Sequence, residues 1–224
     1  MIEQGEEGAQ MQPRTHGNRK GYYGAELRTR SSYTYGKFVV VMKSARPSGV
    51  VSSLFTFHDS ENMERNWNEI DIEFLGGKWG HVQFNAITLG VVHHDSTHYL
   101  GFDTAQDYHE YAFEWRPDSV TWFVDRRELH REERGEISSL DKPQKLMMNV
   151  WNSHSTDWAG YMNTCNWHEK KDTFIASYKM VAVYDYDART NGFCAEPSLF
   201  EDFSDEDAFH RRWMAARHSF DQNM

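Results

Sequence analysis

From residue 67 to residue 76 the chain reads Trp-Asn-Glu-Ile-Asp-Ile-Glu-Phe-Leu-Gly. Polar and apolar residues alternate with a period of two, the pattern of a half-buried β-strand. Ile70, Ile72 and Phe74 fall on one face, Glu69, Asp71 and Glu73 fall on the other, and Gly76 closes the run. Short apolar runs recur along the chain, at residues 38–42, 50–57, 82–87, 111–115, 120–124, 146–150 and 174–184. Turn-forming residues separate many of them: Arg46-Pro47-Ser48-Gly49, Gly76-Gly77 and Arg116-Pro117-Asp118. Stretches with a helical period are scarce. The pattern predicts an all-β sandwich of short strands. Residues 1–20 are polar and read as a loose start, and residues 188–198 read as a linker. The tail, residues 199–224, carries Phe200, Phe203, Phe209, Trp213 and Phe220 and is expected to dock on the body. No repeat divides the chain, so one domain over residues 1–224 is expected.

Composition narrows the range of functions. The 224 residues carry a formal net charge of −10, which argues against nucleic acid and anionic membrane surfaces as partners. No segment is apolar for long enough to span a bilayer as a helix. The first twelve residues have neither the basic start nor the apolar stretch of a signal peptide, although a removed export signal would leave the same picture. Two cysteines, Cys165 and Cys194, allow one disulfide or two thiols but no disulfide framework. Aromatic residues make up 15% of the chain, as suits either a sandwich core or a sugar-binding groove.

Three carboxylates in a row on one strand face repel one another, and at least one pKa must rise. Paired carboxyl groups are the usual apparatus of glycoside hydrolysis. On a strand, Glu69 and Glu73 stand roughly 13 Å apart at the backbone, and side chains leaning together shorten that gap. Spacing alone does not separate a retaining from an inverting site. Asp71, between them, is placed to share a proton with a neighbour. A solvated acidic face and a calcium site are the alternatives that the alternation leaves open.

The strand from Trp67 to Gly76 resembles the active-site strand of glycoside hydrolase family 16, in particular its bacterial lichenase branch of endo-β-1,3-1,4-glucanases. The resemblance extends to Gly24-Ala25-Glu26-Leu27-Arg28-Thr29, Tyr35-Gly36-Lys37-Phe38, Ser48 to Thr56, Val82-Gln83-Phe84-Asn85, Leu100-Gly101-Phe102-Asp103, Tyr111 to Trp115, Met148 to Asn152 and Asp157-Trp158-Ala159-Gly160. These follow one another in the family's order over residues 21–186. The resemblance implies a jelly-roll β-sandwich with a concave substrate cleft and a retaining mechanism. It implies Glu69 as nucleophile, Glu73 as acid and then base, and Asp71 as helper. It also implies contacts to sugar from Glu26, Arg28, Phe55, Trp67, Asn85, Asn149, Trp151 and Trp158. Glu26 and Arg28, two apart on one strand face, would grip hydroxyls as acceptor and forked donor, or would otherwise form a surface ion pair. The partner implied is a β-glucan, met by an exported monomer in the periplasm or outside the cell. The strand holds Glu-x-Asp-x-Glu without the extra residue that many β-1,3-glucanases of the family insert before the last Glu, which leans toward mixed-linkage glucan. Cleavage of another polysaccharide, transglycosylation, or a non-catalytic glycan-binding module are the other readings, the last disfavoured because both Glu69 and Glu73 are present.

The chain departs from the family in several places. Residues 199–224 resemble the family's N-terminal segment but stand at the C-terminus, as a circular permutation would place them. This assigns Phe220 and Asn223 to the sugar-binding face. Lys179 stands where family members often have a calcium-binding Asp, so no cofactor and no metal is expected. Ile87 stands where a Tyr is common. His93, His94 and His98 cluster in sequence without tetrahedral metal spacing and are expected to decorate a loop over the cleft.

Overall fold

A computed structural model describes residues 2–5, 8–11, 14–15, 22–58, 66–92, 95–133, 135–162 and 175–216. Two antiparallel sheets dominate. The first runs Val91–Val92, His81–Thr88, Glu69–Leu75, Val50–Phe57, Lys145–Asn152, Ala25–Thr29, Trp213–Ala216, with Ser96–Tyr99 also pairing on His81–Thr88. The second runs Ile2–Gly5, Gly8–Met11, Ala176–Tyr184, Gly36–Lys43, His109–Arg116, Ser119–Val124, Arg127–Glu132, with Leu199–Glu201 also pairing on Ala176–Tyr184. The fold is an all-β jelly-roll sandwich.

Alternation explains how the sheets pack. Ile70, Ile72 and Phe74 turn inward and meet Phe38, Val40, Tyr111, Phe113 and Trp122 of the second sheet in one continuous core. Burial of these rings and branched chains supplies the main driving force, while the opposite faces stay available for chemistry. Two buried aromatic side chains of the second sheet reach across to backbone oxygens under the site. The Trp122 indole donates to the Asp71 carbonyl at 3.0 Å. The Tyr178 hydroxyl lies 3.0 Å from the Ser53 carbonyl and 3.1 Å from that of Asn149. Such polar handles satisfy themselves inside the core and fix three strands of the first sheet in height.

Gly76, which ends the acid strand, is required by close approach. A Cβ there would collide with the Pro47 carbonyl oxygen, while the Gly76 N–H donates to the Val50 carbonyl at 2.9 Å.

The first residues differ from the expectation of a loose start. Ile2–Gly5 and Gly8–Met11 form a hairpin whose second strand pairs with Ala176–Tyr184. Their polar composition hid them, because edge strands need little apolar character. Within the expected linker, Gly192–Phe193 pairs with Tyr186–Asp187. The tail docks on both sheets: Leu199–Glu201 joins the second, and Trp213–Ala216 joins the first beside Ala25–Thr29. Glu201, 1% exposed, ties the tail together by accepting from the Phe203 N–H at 2.8 Å and the Trp213 indole at 3.3 Å.

Candidate active site

Residues directly opposite one another in neighbouring antiparallel strands share a face, so the registers lay out the site in rows. One row runs Gln83, Glu73, Ser53, Asn149, Glu26. The next, two residues along each strand, runs Asn85, Asp71, Phe55, Met147, Arg28. A third holds Ile87, Glu69, Phe57 and Lys145. On the other side of the Glu73 row lie Leu75, Val51 and Trp151. Segments distant in sequence thus bring Glu26, Arg28, Phe55, Asn85 and Asn149 onto the face of the three acids. The acid strand pairs with both neighbours without a register shift, so it carries no bulge.

The three carboxyl groups have different surroundings. Glu69 Oε2 accepts from the Trp67 indole at 2.5 Å. Its carboxyl also bonds to the Asp71 side chain. Burial pushes Glu69 up to about 7, the bonds from Asp71 and Trp67 oppose the rise, and the charge of Glu26 adds to it. Asp71 is 4% exposed. Burial, then the charges of Glu69 and Glu73, hold it well above the carboxylate range, and the hydrogen bond from Asn85 opposes this. Asp71 is therefore the member that keeps its proton and donates it toward Glu69. Burial, followed by the charge of Glu69, pushes Glu73 up to about 8. No hydrogen bond from the described residues offsets that rise.

The surrounding side chains hold these positions. Trp67 is fixed by its carbonyl, which accepts from the Gly90 N–H at 3.0 Å and the Asn68 amide at 3.0 Å. Trp151 and Trp158 lie with ring centroids 6.0 Å apart and pack on Val51, Leu75 and Ala159. Trp158 donates its indole N–H to Gln83 Oε1 at 2.7 Å, beside Glu73. Phe55, 7% exposed, lines the Asp71 row. Glu26 is only 3% exposed and so is a buried group of this face, not a surface one.

The two asparagines expected to meet sugar hydroxyls are partly engaged within the protein. Asn149 Oδ1 accepts from the Ser53 hydroxyl at 2.5 Å. The Asn85 amide serves Asp71, while its Oδ1 is buried without a partner among the described residues. The Arg28 Nε is likewise buried without one. Both atoms are buried polar groups on this face whose hydrogen-bonding capacity the described residues leave unused.

Ser53, Asn68, Gln83 and Met147 are site residues that the motif reading passed over. Period-two counting from Asn85, Asn149 and Phe55 would have found Gln83, Met147 and Ser53; Asn68 shows only through its burial and its bond to the Trp67 carbonyl. Phe220, Asn223, His93, His94 and Cys165 lie outside the described residues. His98 does not stand over the site as expected. It turns to the inner side, its ring 5.2 Å from Phe84 and 5.4 Å from His130, because it pairs with Val82, whose side chain is in the core. Lys179 places its ammonium over the Tyr108 ring at 5.5 Å, with Lys43 over the same ring at 4.5 Å. Among the described residues no group of three His, Cys, Asp or Glu side chains could hold a metal ion.

A jelly-roll sandwich with a row of three interacting carboxyl groups flanked by tryptophans defines a carboxylate site of the glycoside-hydrolase type. Comparison with known proteins agrees. The model of the family described as Glycosyl hydrolases family 16 matches residues 4–169. The chain belongs to this family. It is 41% identical over 149 residues to a beta-glucanase of Brevibacillus brevis, covering 66% of this chain and 56% of that protein. A beta-glucanase of Acetivibrio thermocellus is 42% identical over 172 residues, 76% of this chain and 48% of its own length. The chain thus spans about half the length of the curated relatives it matches. Among solved structures, the Bacillus licheniformis beta-glucanase superimposes with a TM-score of 0.72 at 35% identity, over 83% of this chain and 82% of that one. A prokaryotic beta-1,3-1,4-glucanase (lichenase) from a mouse hindgut metagenome gives 0.71 at 36% identity, covering 82% of each chain.

Proposed function

We propose that this chain is a retaining endo-β-glucanase that hydrolyses β-1,4 bonds in mixed-linkage β-1,3-1,4-glucan. The observation that carries this reading is the contrast between the two outer acids. Glu69 receives hydrogen bonds from Trp67 and Asp71, which favour its anion, whereas Glu73 has only burial and a neighbouring charge, which favour its acid form. Two carboxyl groups with such different surroundings suit a nucleophile and a general acid. Glu69 attacks the anomeric carbon while Glu73 gives its proton to the departing glycosidic oxygen. Glu73, now ionised, then takes a proton from water, which attacks the glycosyl–Glu69 ester and restores the starting state with the anomeric configuration retained. Asp71 keeps one proton in the row and feeds a hydrogen bond to Glu69, limiting the charge that the buried face must hold. The Arg28 guanidinium and the Asn85 side chain are read as donor and acceptor for hydroxyls, and Trp158, partly exposed over the buried Trp151, is read as the face for the apolar side of a sugar ring.

The unbulged acid strand and the likeness to the mouse-hindgut lichenase support mixed-linkage glucan as the substrate. We also read residues 199–216 as the family's N-terminal segment in a permuted position, since Trp213–Ala216 adds a strand beside Glu26 and Arg28.

The test is incubation with lichenan, laminarin, xyloglucan and agarose, with reducing ends measured and the first product anomer read by proton NMR. Lichenan is expected to be cut with the β-anomer appearing first. The Glu69→Gln variant should lose hydrolysis and keep glucan binding. An α-anomer as first product, or near wild-type cleavage by Glu69→Gln, would overturn the mechanism.

A further inference from the structure

The site face does not stop at Gln83. Thr97 pairs with Gln83 and Tyr99 pairs with His81, so both extend the acid-bearing face by one strand. The rings of His81 and Tyr99 lie 5.1 Å apart, which puts them on the same side. Tyr99 is 72% exposed, and Trp79, in the turn leading into His81, is 59% exposed. A single exposed ring on a soluble protein is ordinary. Here the ring is held in place. An added Cβ on Gly80 would lie 3.2 Å from Tyr99 Cε2, so the tyrosine rests on bare backbone with its outer face turned to solvent. The His81 ring contacts it, and His81 Nδ1 lies 3.2 Å from the Trp79 carbonyl.

We propose that Tyr99, braced by His81, is a sugar-stacking platform for a distal unit of the same β-glucan chain. This rests on the function proposed above and deepens it. The platform is continuous with the site, because Gln83, the neighbour of Glu73 and acceptor of Trp158, lies between them on the same face. Tyr99 is two strands over and two residues along from Glu73, roughly 12 Å at the backbone, on the order of two or three sugar units from the bond being cut. An aromatic face with a hydroxyl at its edge suits a pyranose, which presents C–H groups on one side and hydroxyls around its rim. A site at that distance touches a polymer and leaves a short oligosaccharide untouched.

The experiment compares wild type, Tyr99→Ala and Tyr99→Phe on lichenan and on a soluble mixed-linkage tetrasaccharide. For Tyr99→Ala the KM for lichenan should rise roughly three- to tenfold with kcat unchanged, as fits one lost stacking contact. Its kinetics on the tetrasaccharide should match wild type, and Tyr99→Phe should restore most of the lichenan KM. An unchanged lichenan KM, or an equal rise on both substrates, would overturn the platform alone. If wild type cuts no mixed-linkage glucan, the proposed function fails, and native gels cast with lichenan decide the platform separately. Retarded wild type beside unretarded Tyr99→Ala keeps it, and equal mobility rejects it.

Discussion

Replacing Trp67 by Phe removes the hydrogen bond that favours the Glu69 anion. A smaller aromatic ring remains in place of the indole, and the N–H at 2.5 Å from Glu69 Oε2 is lost. A hydrogen bond to an ionised acceptor contributes roughly 1.5–3 kcal/mol, which is about one to two pKa units. Its loss disfavours the anion, so the Glu69 pKa rises. Starting from about 7, Glu69 would titrate at about 8 to 9, at or above Glu73 at about 8. At pH 6 the ionised share of Glu69 would then fall from roughly one in ten to between about one in a hundred and one in a thousand. Hydrolysis of lichenan under kcat/KM conditions should therefore drop roughly 10- to 100-fold at pH 6. Above pH 8 the wild type also loses activity as Glu73 ionises, and by pH 9 the deficit should shrink to less than about threefold. The assay is a pH series of initial rates for both proteins at low substrate. A drop of equal size at every pH would mean that Trp67 acts only by stacking on sugar. An unmoved acid limb would mean that the indole does not set the ionisation of Glu69, and the reasoning about roles would fail with it.

Two further predictions concern stability. Glu69 and Glu73 titrate at about 7 and about 8 in the fold against an ordinary value of 4.5, so between those values the folded chain binds more protons than the unfolded one. Stability should therefore fall as the pH rises from 5 to 8. Urea midpoints at pH 5, 6.5 and 8 should show a shallower decline for Glu73→Gln and a higher midpoint than wild type at pH 8; parallel declines would refute the placement of Glu73. Tyr178→Phe removes a buried hydroxyl that serves the Ser53 and Asn149 carbonyls. It should cost about 1–2 kcal/mol in urea unfolding, and a loss below about 0.5 kcal/mol would show that the cross-sheet bond is replaceable.

Much of this protein was legible in local pattern. The run at residues 50–57 is the strand Val50–Phe57, and the run at 82–87 lies inside His81–Thr88, because apolar alternation on a two-faced sheet is a local property. The acid row was equally plain, since a strand must place Glu69, Asp71 and Glu73 together. Strands with little apolar content were not: Arg127–Glu132 and the hairpin of Ile2–Gly5 and Gly8–Met11 lie toward sheet edges, where polar residues pair as well as apolar ones.

Local sequence is enough to mark the strand, its two faces and the identity of its acids. How those acids differ depends on the assembled fold. Register laid Asn85 against Asp71 and Gln83 against Glu73, and the chain just before the strand brought the Trp67 indole to Glu69. Neighbouring side chains on the same face of the first sheet set how deeply each carboxyl is buried. Ionisation depends on solvent and on partners a few ångströms away, and some of those, such as Asn85 beside Asp71 and Glu26 near Glu69, come from segments distant in the chain.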